Sequence, residues 1–173
     1  VQDNGEACVR NALADVSNST FTCLLDNDDP VTVTITVDHD TRSATIDFAG
    51  TARQRSDNFN APPAIARAAV LYVFRTLVDD DIPLNSGCLR PLRILLPKGT
   101  MVNPNHGAAV AAGNVETSQI ICDALFGALG LLAGSQGTMN NLSFGDDHLQ
   151  YYETLCGGAG AGPGIRGASA VHT

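Results

Sequence analysis

The chain of 173 residues carries 18 Asp plus Glu against 10 Lys plus Arg, a formal charge of −8, with 44% apolar and only 5% aromatic residues. This is the composition of one acidic globular domain, long enough to bury roughly 70% of the surface its unfolded form exposes without disulfides or metals holding it together. Nine arginines and a single lysine, Lys98, exclude the basic footprint of phosphate-backbone binding, and no run approaches about 18 apolar residues. Neither nucleic acid nor a membrane is therefore an expected partner, and the first residues show no basic-then-apolar export pattern.

The first predicted element is a short helix over 6–16, where apolar and polar residues alternate at helical spacing. Phe21 to Leu25, Val31 to Val37 and Ala44 to Phe48 are β-branched with period two, separated by Asp- and Asn-rich turns, which predicts an antiparallel meander. In its middle strand Val31, Val33, Ile35 and Val37 share a buried face while Thr32, Thr34 and Thr36 share a wet one, and Asp38-His39-Asp40-Thr41 makes the hairpin turn. Pro62-Pro63 opens an alanine-rich helix running to Val78, proline being suited to a first turn whose N–H groups have no partner. Asp79-Asp80-Asp81 closes it, an unfavourable sign at a helix C-terminus unless a cation is near; a solvated loop and a cation site both remain open.

Leu92 to Leu96 is a short buried strand and Pro97-Lys98-Gly99-Thr100 a turn. A second long helix is predicted from about Glu116 to Ala133; from Ile120 onward it is almost entirely apolar or small, with Asp123 the exception, as in a helix buried between layers. Two strands, Gly137 to Phe144 and Leu149 to Leu155, follow around Gly145-Asp146-Asp147-His148. The fold class is α+β, a largely antiparallel sheet with two long helices, in a single domain over 1–173: a meander-rich part, 1–60, and a part of helices, short strands and glycine loop, 61–173.

Glycine is uneven: 13 of 17 lie at or after Gly107 and six fall between Gly157 and Gly167. A loop of that composition should lead into another element, so the expectation is a folded portion of a larger protein. Cys8, Cys23, Cys88, Cys122 and Cys156 are odd in number and lack a C-x-x-C pair, which argues against a zinc ribbon or a disulfide framework. Free thiols in a reducing compartment, the cytoplasm, are expected.

General motifs are mostly absent. Gly162-Pro163-Gly164-Ile165-Arg166-Gly167 fits a dinucleotide fingerprint as a string, but no strand, helix and later acidic residue frame it. There is no P-loop and no G-x-S-x-G elbow, and His39, His106, His148 and His172 are scattered. What remains are polar clusters: Asn114, Glu116, Thr117, Ser118 and Gln119 between an alanine-rich segment and an apolar helix, Asn140 and Asn141 beside a strand, and Tyr151-Tyr152-Glu153-Thr154 feeding Gly157 and Gly158. Caps, satisfied backbone groups and tight glycine packing would also account for them.

Taken in order, Asp47-Phe48-Ala49-Gly50-Thr51, Asn58-Phe59-Asn60-Ala61-Pro62, Asp81-Ile82-Pro83-Leu84-Asn85-Ser86-Gly87-Cys88, Ala109 through Ser118, Gln136-Gly137-Thr138-Met139-Asn140-Asn141 and Tyr151-Tyr152-Glu153-Thr154 resemble the B-type half of the hydantoinase/oxoprolinase family, and more closely its 5-oxoprolinase branch. The resemblance spans nearly the whole chain. It implies an ATP-dependent amidohydrolase that opens a cyclic amide, in which an A-type half, fused or separate, binds ATP and magnesium and phosphorylates the amide oxygen. ATP, magnesium and any divalent metal would then sit outside this chain, whose share is the handling of the activated ring. The fragment alone is expected to be inactive, and the parent to be a homo- or hetero-oligomer.

Within this frame Glu116, Asn114 and Thr117 are the candidate catalytic residues, Glu116 orienting water or a backbone amine. Asn140, Asn141, Glu153, Gly157 and Gly158 are the candidate substrate-binding residues, the amides holding ring carbonyl or phosphate oxygens. An N-methylhydantoinase B or an acetone carboxylase α-subunit-like protein shares the B-type architecture and is the alternative enzyme reading. A non-catalytic subunit-docking domain is the alternative from another class.

Overall fold

Strict alternation in the 31–37 segment builds the centre of the sheet. In the computed structural model, which describes residues 1–172, strand β2 (Pro30–Asp38) buries Val31, Val33 and Ile35 completely and turns its threonines the other way. It is flanked by β1 (Ser19–Leu24) and β3 (Ser43–Asp47), both antiparallel to it. Across β1 and β2 the outward threonines meet as pairs, Thr20 with Thr34 at 3.0 Å and Thr22 with Thr32 at 2.9 Å between hydroxyl oxygens, so that face meets its polar needs internally.

The order β1-β2-β3-β4 closes with β4 (Leu92–Leu95), which runs parallel to β3 with Ala44 opposite Leu92 and Ile46 opposite Ile94. The meander is as predicted, while the last pairing makes the sheet mixed rather than purely antiparallel. The cause is the connection: a parallel partner needs a crossover, and helix α2 (Pro63–Thr76) lies between β3 and β4 in the chain.

Helix α1 spans Gln2–Ala12, starting and ending earlier than the periodicity suggests, and a 3₁₀ turn over Leu13–Asp15 carries the rest. It packs on the 3₁₀ turn Ser86–Leu89. There Asn85 accepts from the Gly87 N–H at 2.9 Å, and a Cβ on Gly87 would lie 2.0 Å from the Gln2 carbonyl oxygen. That close approach explains the Asn-Ser-Gly-Cys string as a backbone joint, with Cys88 buried beneath it.

At the end of α2, Arg75 supplies the cation that the Asp79–Asp81 run called for. Its guanidinium donates to the carbonyls of Asp80 at 3.1 Å and Ile82 at 2.6 Å, satisfying the chain as it leaves the helix, and the three aspartates are exposed.

Helix α3 (Thr117–Leu129) lies over β1 and β2 and against α2. The sequence predicts a helix to Ala133, but Gly130 adopts φ +66° and the Leu131 N–H bonds back to the Phe126 carbonyl at 3.1 Å, a left-handed cap that ends it. Gly127 is small because a Cβ there would stand 2.6 Å from the Phe21 ring. The core runs from Val9 to Leu129, with Phe48, Phe74, Ile46 and Leu125 among its fully buried side chains. Each such side chain contributes about 1.5–3 kcal/mol relative to exposure.

Beyond α3 the chain adds a two-stranded antiparallel hairpin, β5 (Asn141–Gly145) and β6 (Gln150–Thr154), followed by the glycine-rich segment. The hairpin is shorter than the predicted strands. It leaves Leu142, Phe144, Tyr151 and Tyr152 exposed.

Candidate functional site

Two of the recognisable strings form one joint. Asn60 is completely buried: its amide oxygen accepts from the Arg55 N–H at 2.8 Å, and its amide nitrogen lies 3.0–3.1 Å from the carbonyls of Arg55, Asp57 and Ala109. The Ala112 N–H donates to the Asn58 carbonyl at 2.9 Å, and a Cβ on Gly113 would come within 2.5 Å of the Asn60 carbonyl oxygen. Thr117 is buried too, and its hydroxyl donates to the Phe59 carbonyl. The first turn of α3 is thus tied to the 55–61 loop instead of being capped by its own side chains, and no side chain caps the N–H groups at its start.

This joint aims Glu116 into a cleft of about 260 Å³ that it shares with Arg55, Phe59, Gln136 and Thr138. The half-buried Glu116 carboxylate accepts from the Thr138 hydroxyl at 2.6 Å, a charge-assisted bond that fixes one of its oxygens. Arg55 is clamped between Asp29 and Asp57, with its Nε donating to Asp57 at 2.8 Å, and its guanidinium stands 5.6 Å from the centre of the Phe59 ring. The Arg55 hydrogen bonds hold the Asp57 carboxyl below the usual carboxylate range. Two carboxylates match the one guanidinium, so Arg55 is a structural cation here and not a free anchor for an anion. Sequence reasoning passed over Arg55; the signal was local, an Arg and an Asp two residues apart followed by an aromatic residue.

Gly157 and Gly158 line a smaller cleft, about 140 Å³, whose wall includes the same Gln136 and Thr138. Backbone geometry requires glycine at 158, whereas at 157 only a flexible side chain stands in the way. A Cβ on Gly157 would meet the Gln136 side chain at 2.6 Å, and Gly158, at φ +86°, sits 2.3 Å from the Ala168 carbonyl by the same measure. Asn114 is exposed and opens on a third cleft, of about 440 Å³, between α2 and α3.

Asn140, Asn141 and Glu153 line none of these three clefts and belong to the hairpin and its approach. The Asn140 carbonyl accepts from the Leu155 N–H at 2.8 Å; the Asn141 side-chain oxygen accepts from the Tyr152 hydroxyl at 2.7 Å and the Thr154 hydroxyl at 3.1 Å. The Tyr151 hydroxyl donates to Glu153, which raises the Tyr151 phenol above its ordinary value. The fold thus brings Glu116 and the 157–158 glycines to a common wall at Gln136 and Thr138, and sets Asn114, Thr117 and the hairpin residues apart from it.

A mixed sheet with α3 packed over it and α2 packed against α3, with clefts gathered around the first turn of α3, is thus the frame of the site. The chain belongs to the hydantoinase B/oxoprolinase family, whose model matches residues 1–173. It is 41% identical to a 5-oxoprolinase of Dictyostelium discoideum over 182 aligned residues, covering 100% of this chain and 14% of that protein. It is 42% identical to 5-oxoprolinase 1 of Arabidopsis thaliana, covering 99% and 15% respectively. The chain therefore spans about one seventh of the length of these relatives. Among solved structures, the ATP-dependent caprolactamase of Pseudomonas jessenii matches with a TM-score of 0.74 at 19% identity, over 99% of this chain and 33% of that one. A nucleotide-free acetone carboxylase matches with a TM-score of 0.77 at 17% identity, over 98% and 27%. Both share this fold.

Proposed function

We propose that the chain is the ring-handling portion of an ATP-dependent cyclic-amide hydrolase of the 5-oxoprolinase type, which converts 5-oxo-L-proline, ATP and water to L-glutamate, ADP and phosphate. The observation that carries this reading is the identity above 40% to two 5-oxoprolinases along the full chain. The Glu116 cleft supports it chemically. Water adding to the phosphorylated amide carbon forms a C–O bond, the C–N bond breaks, and a second water releases the phosphoryl group as phosphate; the proton given up by the first water must pass through a base to the departing nitrogen. Glu116, with one oxygen held by Thr138, has its other oxygen free to orient that water.

No group of three or more His, Cys, Asp or Glu among the described residues is arranged to hold a metal ion, and the sequence has no phosphate-cradling loop ending in lysine. By the family resemblance ATP and magnesium are assigned to the A-type half, and any further divalent metal to a part of the parent outside this chain, and no step is derived through them. That half, fused or separate, is the proposed partner. The apolar side chains exposed on the β5–β6 hairpin support such an intermolecular or interdomain contact, and they are what favours a docking role for the isolated piece, which by this reading is inactive alone. A cytoplasmic location accords with five free cysteines, and no helix among the described residues is long and apolar enough to cross a membrane.

The test is phosphate release by the full-length protein. ATP hydrolysis that depends on 5-oxoproline supports the reading; dependence on hydantoin or acetone instead replaces it with the alternative substrates. Glu116→Gln is expected to lower kcat by about 10²-fold or more with a small change in KM. Unchanged turnover would remove Glu116 from the chemistry.

A further inference from the structure

A cleft lies between α2 and α3, away from Glu116, and the function proposed above makes no use of it. Its volume of about 440 Å³ falls within the range of small-molecule sites. Ala68 and Ala69 of α2 leave the space, since larger residues at that spacing would fill the groove between the helices. At one end Tyr72 and Phe126 meet edge to face, with ring centres 6.4 Å apart. The lining is predominantly apolar.

Asp123, on the same face of α3 as Phe126, is the one charged side chain in this lining. It was the single charge in an otherwise apolar helix, and the structure gives it no cationic partner: none of the ion pairs among the described residues includes it. One of its oxygens accepts from the Ser135 N–H at 3.1 Å; the other has only the Ser135 hydroxyl at 3.4 Å, a long contact that leaves it free for a stronger donor. Burial pushes its carboxyl above the ordinary aspartate value, against the two Ser135 hydrogen bonds that pull it down. A half-buried carboxylate without a cation is costly, and a bound cation would offset that cost.

We propose that the α2–α3 cleft is a binding site for a small organic ammonium ion, whose charged head pairs with Asp123 and whose apolar body lies along Ala68 and Ala69 toward the Tyr72–Phe126 rings. The carboxylate selects charge, the alanines select a compact body, and the aromatic faces favour a cation or its adjacent methylenes. An anionic ligand finds no basic side chain in the lining. The site is independent of the Glu116 chemistry and stands whether or not the chain acts on cyclic amides.

Cyclohexylammonium chloride is the probe, titrated into the purified chain and followed by calorimetry and by protein NMR shifts. Saturable binding with a Kd on the order of 1 mM is expected, with shifts confined to residues of α2, α3 and the 132–135 loop. Cyclohexanol and cyclohexanecarboxylate, of matching shape, should bind at least tenfold more weakly. Asp123→Asn keeps the shape and an acceptor for Ser135 and should lose at least tenfold in affinity. Ala68→Trp, at an exposed position on the rim, should block binding while leaving the fold intact. Equal binding of cyclohexanol, undiminished binding by Asp123→Asn or Ala68→Trp, or no saturation at about twenty times the expected Kd would each overturn the proposal; should Asp123→Asn fail to fold, the cyclohexanol comparison and Ala68→Trp still decide it.

Discussion

The Thr138 hydroxyl donates to the Glu116 carboxylate at 2.6 Å across 22 residues of sequence, joining the entrance of α3 to the loop before the hairpin. The bond is reinforced beside it, where the Met139 N–H donates to the Val115 carbonyl at 2.7 Å. Thr138→Val and Glu116→Gln should therefore be coupled. A double-mutant cycle in urea is expected to return an interaction of about 0.5–1.5 kcal/mol, and additive effects would show that the pair contributes nothing as a pair. In the full-length protein Thr138→Val should lower kcat less than Glu116→Gln does, because it frees the carboxylate without removing it.

Gly113 is small because the Asn60 carbonyl oxygen occupies the place of its side chain. Gly113→Ala forces backbone apart from backbone, with no flexible side chain to yield. A loss of about 1–3 kcal/mol in unfolding free energy is expected from chemical denaturation, in contrast to Ala111→Ser at a nearby exposed position, which should change it by less than about 0.5 kcal/mol.

Asn60 serves backbone groups on three sides while fully buried. Asn60→Ala leaves an N–H and up to three carbonyls without a partner and should cost about 2–4 kcal/mol. Asn60→Asp should be worse, since a carboxylate cannot donate and would face three carbonyl oxygens. Equal midpoints for the two variants would contradict this.

Burial raises the pKa of Asp123 above its ordinary value. Its folded value lies above its unfolded one, so the folded state binds the proton more tightly; the stability this gives is fully present below the unfolded value, about 3.9, and is lost as pH rises through the folded value. The groups beside it are the thiols of Cys122, pushed up to about 12, and Cys23, pushed up to about 11, both chiefly by burial, with the Tyr72 phenol also lining the cleft. None of the thiols ionises in the acid range, so the window belongs to Asp123. Measured against Asp123→Asn, the wild-type chain should lose relative stability as pH climbs from 3 toward 7, about the interval above the ordinary aspartate value. A difference that does not change with pH would remove the effect.

The β5–β6 hairpin adds no residue to the core, and an isolated two-stranded ribbon is marginal in water. Its amides should exchange with deuterium far faster than those of β2 and β3, at a rate governed by local opening rather than global unfolding. Phe144→Ser should leave the global unfolding free energy in urea within about 0.5 kcal/mol of wild type, because the Phe144 ring is exposed and pairs with Tyr151, 5.0 Å away between ring centres.

What the sequence determined by itself was what local periodicity and turn chemistry control. The valine–threonine alternation in 31–37 allows one buried face; Pro62-Pro63 starts α2; the threonine-rich meander pairs with its neighbours because the turns are short. The family strings were legible for a related reason: several mark backbone joints, such as Asn60 with Gly113 and Gly87 with Gln2, where only one residue type fits. Tertiary structure alone decided which polar residues meet. Glu116 and Thr117 are adjacent in sequence, yet the helical turn sends one into a cleft and the other under the 55–61 loop. Arg55 gains its partners from residues two and 26 positions away, and Asp123 lies in a cleft that exists only because α2 packs against α3. Periodicity reports the face on which a side chain lies; which element lies opposite is set by the packing of the whole chain.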